Sequence, residues 1–240
     1  MLRFFRRIRK MLIEQKKITS YIFYALGEIV LVVIGILIAL SVNNWNEERK
    51  NRIEEKAILT ALNRDFTKNL EMFTSIKNTH IKAHESAKSI QTLINSPLSV
   101  TFFTDENVNL YKAALEHHSF NPYNGVVNSL INSGNYLLLR NDSLQNLIIS
   151  WNDVLEDYLE EERASSGFWL REFEPFMIEN AAFSMTDPTK GIAILSDPIH
   201  KTLIERRIHY TGLIIEAIEK EPIEHYLMEI VRLSSVNRSN

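Results

Sequence analysis

One uninterrupted apolar stretch near the N-terminus constrains this chain more than any other feature. Residues 21–42 read YIFYALGEIVLVVIGILIALSV, and the only charged side chain among these 22 residues is that of Glu28. At a helical rise of ~1.5 Å per residue the stretch spans about 33 Å, close to the ~30 Å hydrocarbon core of a bilayer. Fourteen of its residues are Ile, Leu, Val or Phe. At roughly −0.3 to −0.6 kcal/mol each, they outweigh the ~2.5–3.5 kcal/mol cost of one carboxylate. The stretch therefore predicts a transmembrane helix.

Two alternatives exist for this stretch. A buried core helix rarely runs this long without a polar face. Residues 39–41 (Ala-Leu-Ser) resemble the cleavage site of a signal peptide, but the apolar region of such peptides is only ~7–15 residues long. Tyr21, Tyr24 and Trp45 lie at the two ends of the stretch, where aromatic side chains meet lipid headgroups. We therefore expect an uncleaved anchor.

The basic residues predict the orientation of this anchor. Residues 1–20 contain seven Lys or Arg and one acidic residue, whereas residues 43–62 contain four of each. Positively charged flanks stay in the cytoplasm, so we expect a cytoplasmic N-terminus, an inner-membrane anchor in contact with the lipid bilayer, and a periplasmic C-terminal domain. The apolar residues among these cations would also suit an amphipathic helix on an anionic leaflet. A role in topology alone is the alternative.

The anchor and its flanks resemble a known family. The run Gly27–Leu40 followed by Asn43–Glu47 is similar to the N-terminal signature of an uncharacterised Bacteroidota membrane family, catalogued as domain of unknown function six-zero-nine-zero. The segments Ser129–Gly134 and Leu138–Leu144 resemble a later part of that family. The resemblance implies a single-pass inner-membrane protein with a periplasmic helical domain. It implies no activity and no catalytic residue.

The rest of the chain is patterned as helices. No Gly occurs between Gly35 and Gly125, and the first Pro is Pro97. Side chains recur at three- and four-residue steps along a largely apolar seam, which predicts that the first helix continues to about Asn95. The seam positions are Leu59, Leu62, Phe66, Asn69, Phe73, Ile76, His80, Ala83, Ala87, Ile90 and Ile94.

Capping signals predict the later helices. Their starts are indicated by Thr104, by Asp142 or Ser143, and by Ser196 or Asp197 followed by Pro198. Pro175 predicts a kink or an end, Met185–Gly191 a connection, and Val100–Phe103 and Ile192–Leu195 are candidate short strands. The fold class is mainly α: a single transmembrane helix continuing into a long helix and an extracytoplasmic helical bundle. The predicted divisions are a basic cytoplasmic N-terminus (1–20), the transmembrane helix (21–42), a polar helical stalk (43–57), the extracytoplasmic domain (58–234) and a frayed tail (235–240).

Composition removes several classes of function. The chain has no Cys, which excludes disulfides, thiolate metal sites and a cysteine nucleophile. Residues 43–240 carry 20 basic and 28 acidic side chains, a net charge of −8 that would repel nucleic-acid phosphates. Neither a phosphate-binding Gly-rich loop nor a nucleophile-elbow motif occurs. We predict no cofactor, no bound metal and no nucleic-acid partner.

Polar side chains outside the anchor offer three candidate groups. The segment around residues 117–125 is rich in hydrogen-bonding groups that predict either a ligand pocket or an ordered loop. His80 and His84 are four residues apart on one helix, so their imidazoles could bind the same metal ion. The position of His80 on the apolar seam is more typical of a hydrogen-bonded core histidine. Residues 160–163 (EEER) are typical of a solvated face. The pocket candidates are His117, His118, Asn121, Tyr123 and Asn124.

Within the anchor, Glu28 is the first functional candidate, because ionisable groups inside membranes are rarely accidental. Gly35 and Ala39 share its face and form a small-xxx-small pair. We expect these three residues to form a helix–helix interface through which the chain self-associates. The alternative is that Glu28 lies near enough to the headgroups to reach water.

These patterns favour a membrane-anchored extracytoplasmic helical protein that is a non-enzymatic interaction or sensing module with an unidentified envelope protein as partner. A purely structural envelope protein is a related interpretation. The alternative from another class is an anchored extracytoplasmic enzyme or small-ligand-binding domain with its pocket near residues 117–125. No motif supports catalysis, so we lean away from an enzyme.

Overall fold

The computed structural model describes residues 18–96, 104–180 and 188–235, and these are built of helices joined by short connections. The predicted mainly α fold is confirmed. The chain divides between Glu55 and Lys56 into two compact units, and each is described by itself. The α-helices are α1 (Ile18–Ile94), α2 (Asp105–Leu115), α3 (Gly125–Ser133), α4 (Asp142–Phe168), α5 (Glu174–Glu179), α6 (Pro188–Ser196), α7 (Pro198–Lys220) and α8 (Ile223–Ser234).

The first unit contains the apolar part of α1. Within the described residues, α1 is the one helix long and apolar enough to cross a membrane, and none of its most apolar window is buried. Large apolar side chains face outward along it, from Phe23 to Trp45, which is 65% exposed. The basic N-terminus and the side chains of Tyr21 and Tyr24 lie outside the described part. This exposure is what a lipid-facing helix requires, and it disfavours a core helix.

In the second unit, the seam of α1 faces inward as predicted. Leu62, Phe66 and Phe73 have no exposed surface, and the seam stays buried to Ile94. Leu59 is partly buried at its start, whereas Lys68 on the opposite face is exposed. The helical phase read from the sequence is therefore confirmed.

Helix termini follow their capping residues. Thr104 caps α2 by accepting from the Asn107 amide, and Asp197 caps α7 by accepting from the Ile199 amide, with Pro198 as the first helical residue. The cap of α4 is Asn141, one residue before the predicted position, with its side chain accepting from Leu144. The predicted helix starts are thus correct to within one residue. The difference at α4 arises because Asn141, Asp142 and Ser143 are consecutive, and each has a short polar side chain that can cap a helix.

A π-helical turn, Trp169–Phe173, joins α4 to α5 directly before Pro175. Proline has no N–H, and its ring crowds the carbonyl four residues earlier, so the α-helical ladder cannot continue unchanged through it. The wider π turn absorbs this break and lets the chain continue as helix. The helical path runs on through Pro175 to Glu179, so an end at Pro175 is not observed, and a kink there stays a prediction.

Some predictions for the segments between and after the helices are wrong, and others concern residues outside the described part. Ile192–Leu195 is not a strand but part of α6, which also includes residues 188–191 of the predicted connection. Leu195 is fully buried and Ile194 nearly so, so burial on one side of a short helix favours helix over strand here. Val100–Phe103, the first part of the Met185–Gly191 connection and residues 236–240 of the tail lie outside the described residues.

The core of the second unit has two apolar clusters. The first joins α1, α3, α4, α7 and α8 and includes Phe66, whose ring meets Trp151 edge-on at 4.9 Å. The second joins α1, α2, α4, α6 and α7 with the segment 168–177 and includes Tyr111 and Phe173. Along three helices, buried polar residues separate the two clusters. These are His80 in α1, Glu162 and Ser165 in α4, and Arg207 and Thr211 in α7.

The seam makes a testable prediction about stability. Leu62→Asp or Phe73→Asp should lower the free energy of unfolding by several kcal/mol, because each buries a charge without a partner. Lys68→Asp places the same group on the exposed side of α1 and should change it by about 0.5 kcal/mol or less. Urea unfolding of the detergent-solubilised full chain measures the difference. Equal tolerance at positions 62 and 68 would contradict the packing described here.

Candidate functional site

The carboxylate of Glu162 lies at the centre of the buried polar layer. Its side chain is 2% exposed. Oε1 accepts from the Tyr158 hydroxyl at 2.6 Å and lies 3.2 Å from His80 Nε2, while Oε2 accepts from the Phe120 amide at 2.8 Å. Three donors from three parts of the chain thus surround one charge. This is the condition under which a carboxylate is stable away from water.

The His80 ring is fully buried, and its contact with Glu162 determines its tautomer. Nδ1 is buried without a hydrogen-bond partner. A neutral ring with its proton on Nε2 donates to Glu162 and leaves only a bare lone pair at Nδ1. This arrangement avoids an unpaired N–H. The core histidine predicted from the seam is confirmed.

Arg207 occupies the same layer and is also fully buried. Its acceptors are the carbonyls of Ala114 and Glu116, at 3.1 and 2.5 Å, and the Ser165 hydroxyl at 3.5 Å. The two carbonyls belong to the C-terminal end of α2, where carbonyls lack helical partners and the helix dipole favours a cation. Burial lowers the pKa of Arg207 to about 10, so it remains charged at neutral pH.

His117 is tied to the layer by its ring. Nε2 lies 3.0 Å from the Ser166 hydroxyl, and the ring stacks on Trp169 with centroids 6.1 Å apart. The guanidinium of Arg207 lies over the same indole at 5.5 Å. Burial, followed by the positive charge of Arg207, lowers the pKa of His117 to about 4. His117 is therefore neutral at neutral pH.

Residues 116–124, here called the docking loop, connect α2 to α3. The buried Asn69 of α1 accepts from the Tyr123 amide at 2.8 Å and donates to its carbonyl at 3.2 Å. Asn124 accepts from the indole N–H of Trp151 at 2.9 Å. The backbone amide and carbonyl of Tyr123 are thus paired with a side chain, whereas in a helix or strand they would be paired with other backbone groups.

The five pocket candidates do not converge on one point. His117 turns inward to Ser166, whereas His118 is exposed and lies beside Glu116 at 3.2 Å. Asn121 donates to Ser119 within the docking loop. Tyr123 is 52% exposed, and Asn124 bonds Trp151. His117, His118, Asn121 and Asn124 thus have different partners, the Tyr123 side chain is exposed, and ligand binding by these five residues stays a prediction.

Sequence reasoning missed Glu162 and Arg207. The EEER segment was interpreted as a solvated face, but Glu162 is buried while Arg163 is exposed and pairs with Glu156. A signal was present, because Glu162 follows Trp151, Leu155 and Tyr158 at helical spacing and so continues their stripe. Arg207 likewise lies on the apolar stripe of α7.

A second buried pair lies in the other cluster. Tyr111 Oη and His200 Nε2 are 2.7 Å apart, and the hydroxyl donates to the Met177 sulfur at 3.6 Å. Burial lowers the pKa of His200 to about 4 and raises that of Tyr111 far above its usual value. Both groups are therefore neutral at neutral pH, and they satisfy each other inside the core.

These groups include a carboxylate and the three imidazoles of His80, His117 and His200, which are components of general acid–base catalysis. Tyr158, His80 and Glu162 have almost no exposed surface, so a substrate cannot reach them in this arrangement. Among the described residues, no group of three or more His, Asp or Glu is placed to hold a metal ion. The polar layer is thus arranged to hold helices and the docking loop together.

The interface candidates of the anchor lie on the first unit. Glu28 is half-buried, while Gly35 and Ala39 are exposed. A Cβ atom added at Gly35 would meet nothing within 4 Å. The face carrying these small residues is open to a neighbouring helix, and self-association through it stays a prediction.

Comparison with protein families gives a match to a family of unknown function. Residues 28–160 match the Family of unknown function (DUF6090), which covers more than half of the chain. Comparison with curated proteins and with solved structures gives no significant match. The chain therefore belongs to this family, as its anchor and flanking residues indicated.

The geometry around Glu162 makes a prediction that separates charge from shape. Glu162→Leu should lower the free energy of unfolding by roughly 3 kcal/mol or more, because it leaves buried donors on Tyr158, His80 and Phe120 unpaired. Glu162→Gln keeps one oxygen that can accept a hydrogen bond, so it should lower the free energy of unfolding by less than Glu162→Leu. Glu160 is exposed and lies two positions earlier on the same helix. Glu160→Leu should therefore lower the free energy of unfolding by about 0.5 kcal/mol or less. Denaturant unfolding of the three variants measures the order, and equal effects at 160 and 162 would contradict it.

Proposed function

We propose that this member of the family of unknown function is a single-pass inner-membrane protein whose helical domain lies in the periplasm and acts by binding another envelope protein. The observation that supports it best is the contrast along α1. Its apolar window is wholly unburied, whereas the part from Leu62 to Ile94 is packed on its inner face. Lipid is the surrounding that such an exposed apolar helix needs.

Charge supports the proposed orientation. Seven basic residues precede the apolar stretch, and basic and acidic residues are balanced after it. Under the proposed orientation the basic side stays in the cytoplasm, and residues 43–240 would lie outside. An uncleaved anchor, not a signal peptide, is proposed because the apolar stretch exceeds the usual signal length.

A binding role is proposed over catalysis because the strongest polar constellation is used internally. The carboxylate of Glu162 and the guanidinium of Arg207 each have their hydrogen bonds filled by groups of the same domain. Catalytic sites instead leave reactive groups exposed in a concave site. The net charge of −8 on residues 43–240 favours a partner with a basic surface.

We also propose that the anchor self-associates through Glu28, Gly35 and Ala39. Small residues let two helices approach closely in lipid, and a carboxyl group can hydrogen-bond across the contact. The open surface at Gly35 supports this proposal. Association of the anchors would bring two domains to one place on the membrane.

Reporter fusions test the topology. A periplasm-dependent reporter joined at Asn240 should be active, because the basic excess precedes the span. The fusion also carries an epitope tag at its N-terminus. It should remain in the membrane fraction and keep this tag, because the anchor is expected to stay uncleaved. The control is the same chain with the basic residues of positions 1–20 changed to Glu, which should reduce export. Activity of a cytoplasm-dependent reporter at Asn240 would contradict the orientation, and a soluble product without the tag would indicate a cleaved signal.

Substitutions in the anchor test self-association. Gly35→Ile should weaken energy transfer between labelled full-length chains in lipid vesicles, because it fills the close approach. Glu28→Gln should retain most of the association, since an amide also donates and accepts. Each polar contact in lipid contributes only about 0.6–2 kcal/mol, so the loss should be partial. Leu37→Ile, a change of shape away from the small residues, is the matched control. Unchanged transfer in Gly35→Ile would place the interface elsewhere.

A further inference from the structure

We propose that copies of this chain associate side by side through their second units, with the outward face of α1 in one copy binding the outward face of α4 in the next. Both faces belong to the second unit. The proposal rests on the membrane anchorage proposed above, which gives all copies the same orientation. It does not use the contact through Glu28, Gly35 and Ala39.

The two helices differ in charge. Between residues 56 and 94, α1 carries six Lys or Arg and three Asp or Glu, whereas α4 carries one basic and seven acidic residues. The exposed acidic residues within α4 include Asp153, Glu156, Asp157 and Glu160. Such a face repels a second α4 face and attracts the α1 face of another copy. Charge complementarity therefore favours a contact between the two different faces.

Within the second unit, α1 and α4 run in the same direction. The ring of Phe66 meets that of Trp151 with centroids 4.9 Å apart, and seven residues later in both helices Phe73 meets Tyr158 at 5.4 Å. The line of contact thus advances equally along both helices. Copies anchored in one membrane with the same orientation would place matching levels of these helices side by side.

Lys68 and Asp153 lie at the same level on opposite sides of this helix pair. Each follows a contact residue by two positions, Phe66 in α1 and Trp151 in α4. Two residues turn an α-helix by about 200° and advance it by about 3 Å. Each side chain therefore points away from the other helix, and both are exposed. A sideways shift of one copy, without rotation, brings its Lys68 next to Asp153 of the neighbouring copy.

Each of these charged residues has an exposed apolar neighbour. The ring of Tyr123, which is 52% exposed, lies 5.5 Å from the Lys68 ammonium. Because Asn69 holds both backbone groups of Tyr123, the position of this ring is fixed. On the other face, Ile149 is exposed one helical turn before Asp153. A fixed aromatic ring beside a charge is typical of residues that contribute most to a protein interface.

The contact joins two different faces, so it is heterologous. Each copy that binds through α1 keeps its α4 face for a further copy. Association of this kind continues into a row or closes into a ring, whereas a two-fold contact stops at a pair. The second unit would thus bind its own kind beside any other envelope protein.

Charge exchange between the two positions tests the contact. Donor- and acceptor-labelled full-length chains are reconstituted in lipid vesicles, and energy transfer gives the association constant. All chains carry Gly35→Ile, so that any contact between the anchors is weakened equally. Lys68→Glu and Asp153→Lys should each lower the association constant by roughly fivefold, because each replaces an exposed ion pair by two like charges. The chain with both changes restores opposite charges and should associate like the Gly35→Ile parent.

Lys82 provides the matched control. It is exposed on the same helix but lies about 21 Å further along the axis, beyond the ~10 Å screening length at 0.1 M salt. Lys82→Glu should therefore change the association constant much less than Lys68→Glu. Raising the salt to about 1 M, where the screening length is ~3 Å, should weaken association of the parent.

Three results would overturn the proposal. The first is a double exchange that associates no better than either single variant. The second is equal association of the parent, Lys68→Glu and Asp153→Lys. The third is no energy transfer in the Gly35→Ile parent while it remains in the membrane fraction, which would leave the proposed anchorage intact. Loss of the chain from the membrane fraction would instead contradict the anchorage, and the side-by-side contact with it.

Discussion

The second unit depends on how one buried negative charge is satisfied. Glu162 has almost no contact with water, and an isolated carboxylate in such a place costs many kcal/mol. It is stable only because a hydroxyl from its own helix, an imidazole from α1 and an amide from the docking loop all donate to it. Each of these groups must be brought to one point. The packing of α1, α4 and the docking loop is constrained accordingly.

The polar layer also sets the register of the helices. In α1, α4 and α7 the buried polar residues separate the same two apolar clusters. If α4 moved by one turn along its axis, Glu162 would enter one apolar cluster and leave His80 unpaired. A purely apolar core tolerates such sliding at lower cost, because its side chains are interchangeable in kind. A shift of register would separate Glu162 from the groups that donate to it, and fixing register is the best-attested use of buried polar groups.

The regular parts of this fold could be read from the sequence, and the polar layer only in part. The seam from Leu62 to Ile94 was predictable because helical periodicity depends on local spacing alone. Capping residues similarly act within three residues of the helix end, which made Thr104 and Asp197 predictable. Glu162 was not recognised, since a charged residue beside two other acids is usually solvated. Its burial depends on donors 42 and 82 residues away in the chain, which local patterns do not reveal.

The same reasoning explains why the pocket candidates were found together but do not act together. A loop that crosses a helical bundle has no ladder of its own for its amides and carbonyls, so side chains must replace it. Side chains of the neighbouring helices meet this requirement: Asn69 pairs with both backbone groups of Tyr123, and Glu162 accepts from the Phe120 amide. The loop's own side chains add further contacts, such as that of Asn124 with the Trp151 indole. A dense polar segment between helices therefore indicates a loop that needs fixing at least as readily as a ligand site. Within the second unit, α1 therefore fixes the end of the docking loop directly through Asn69, while His80 contacts the Glu162 carboxylate that accepts from the Phe120 amide.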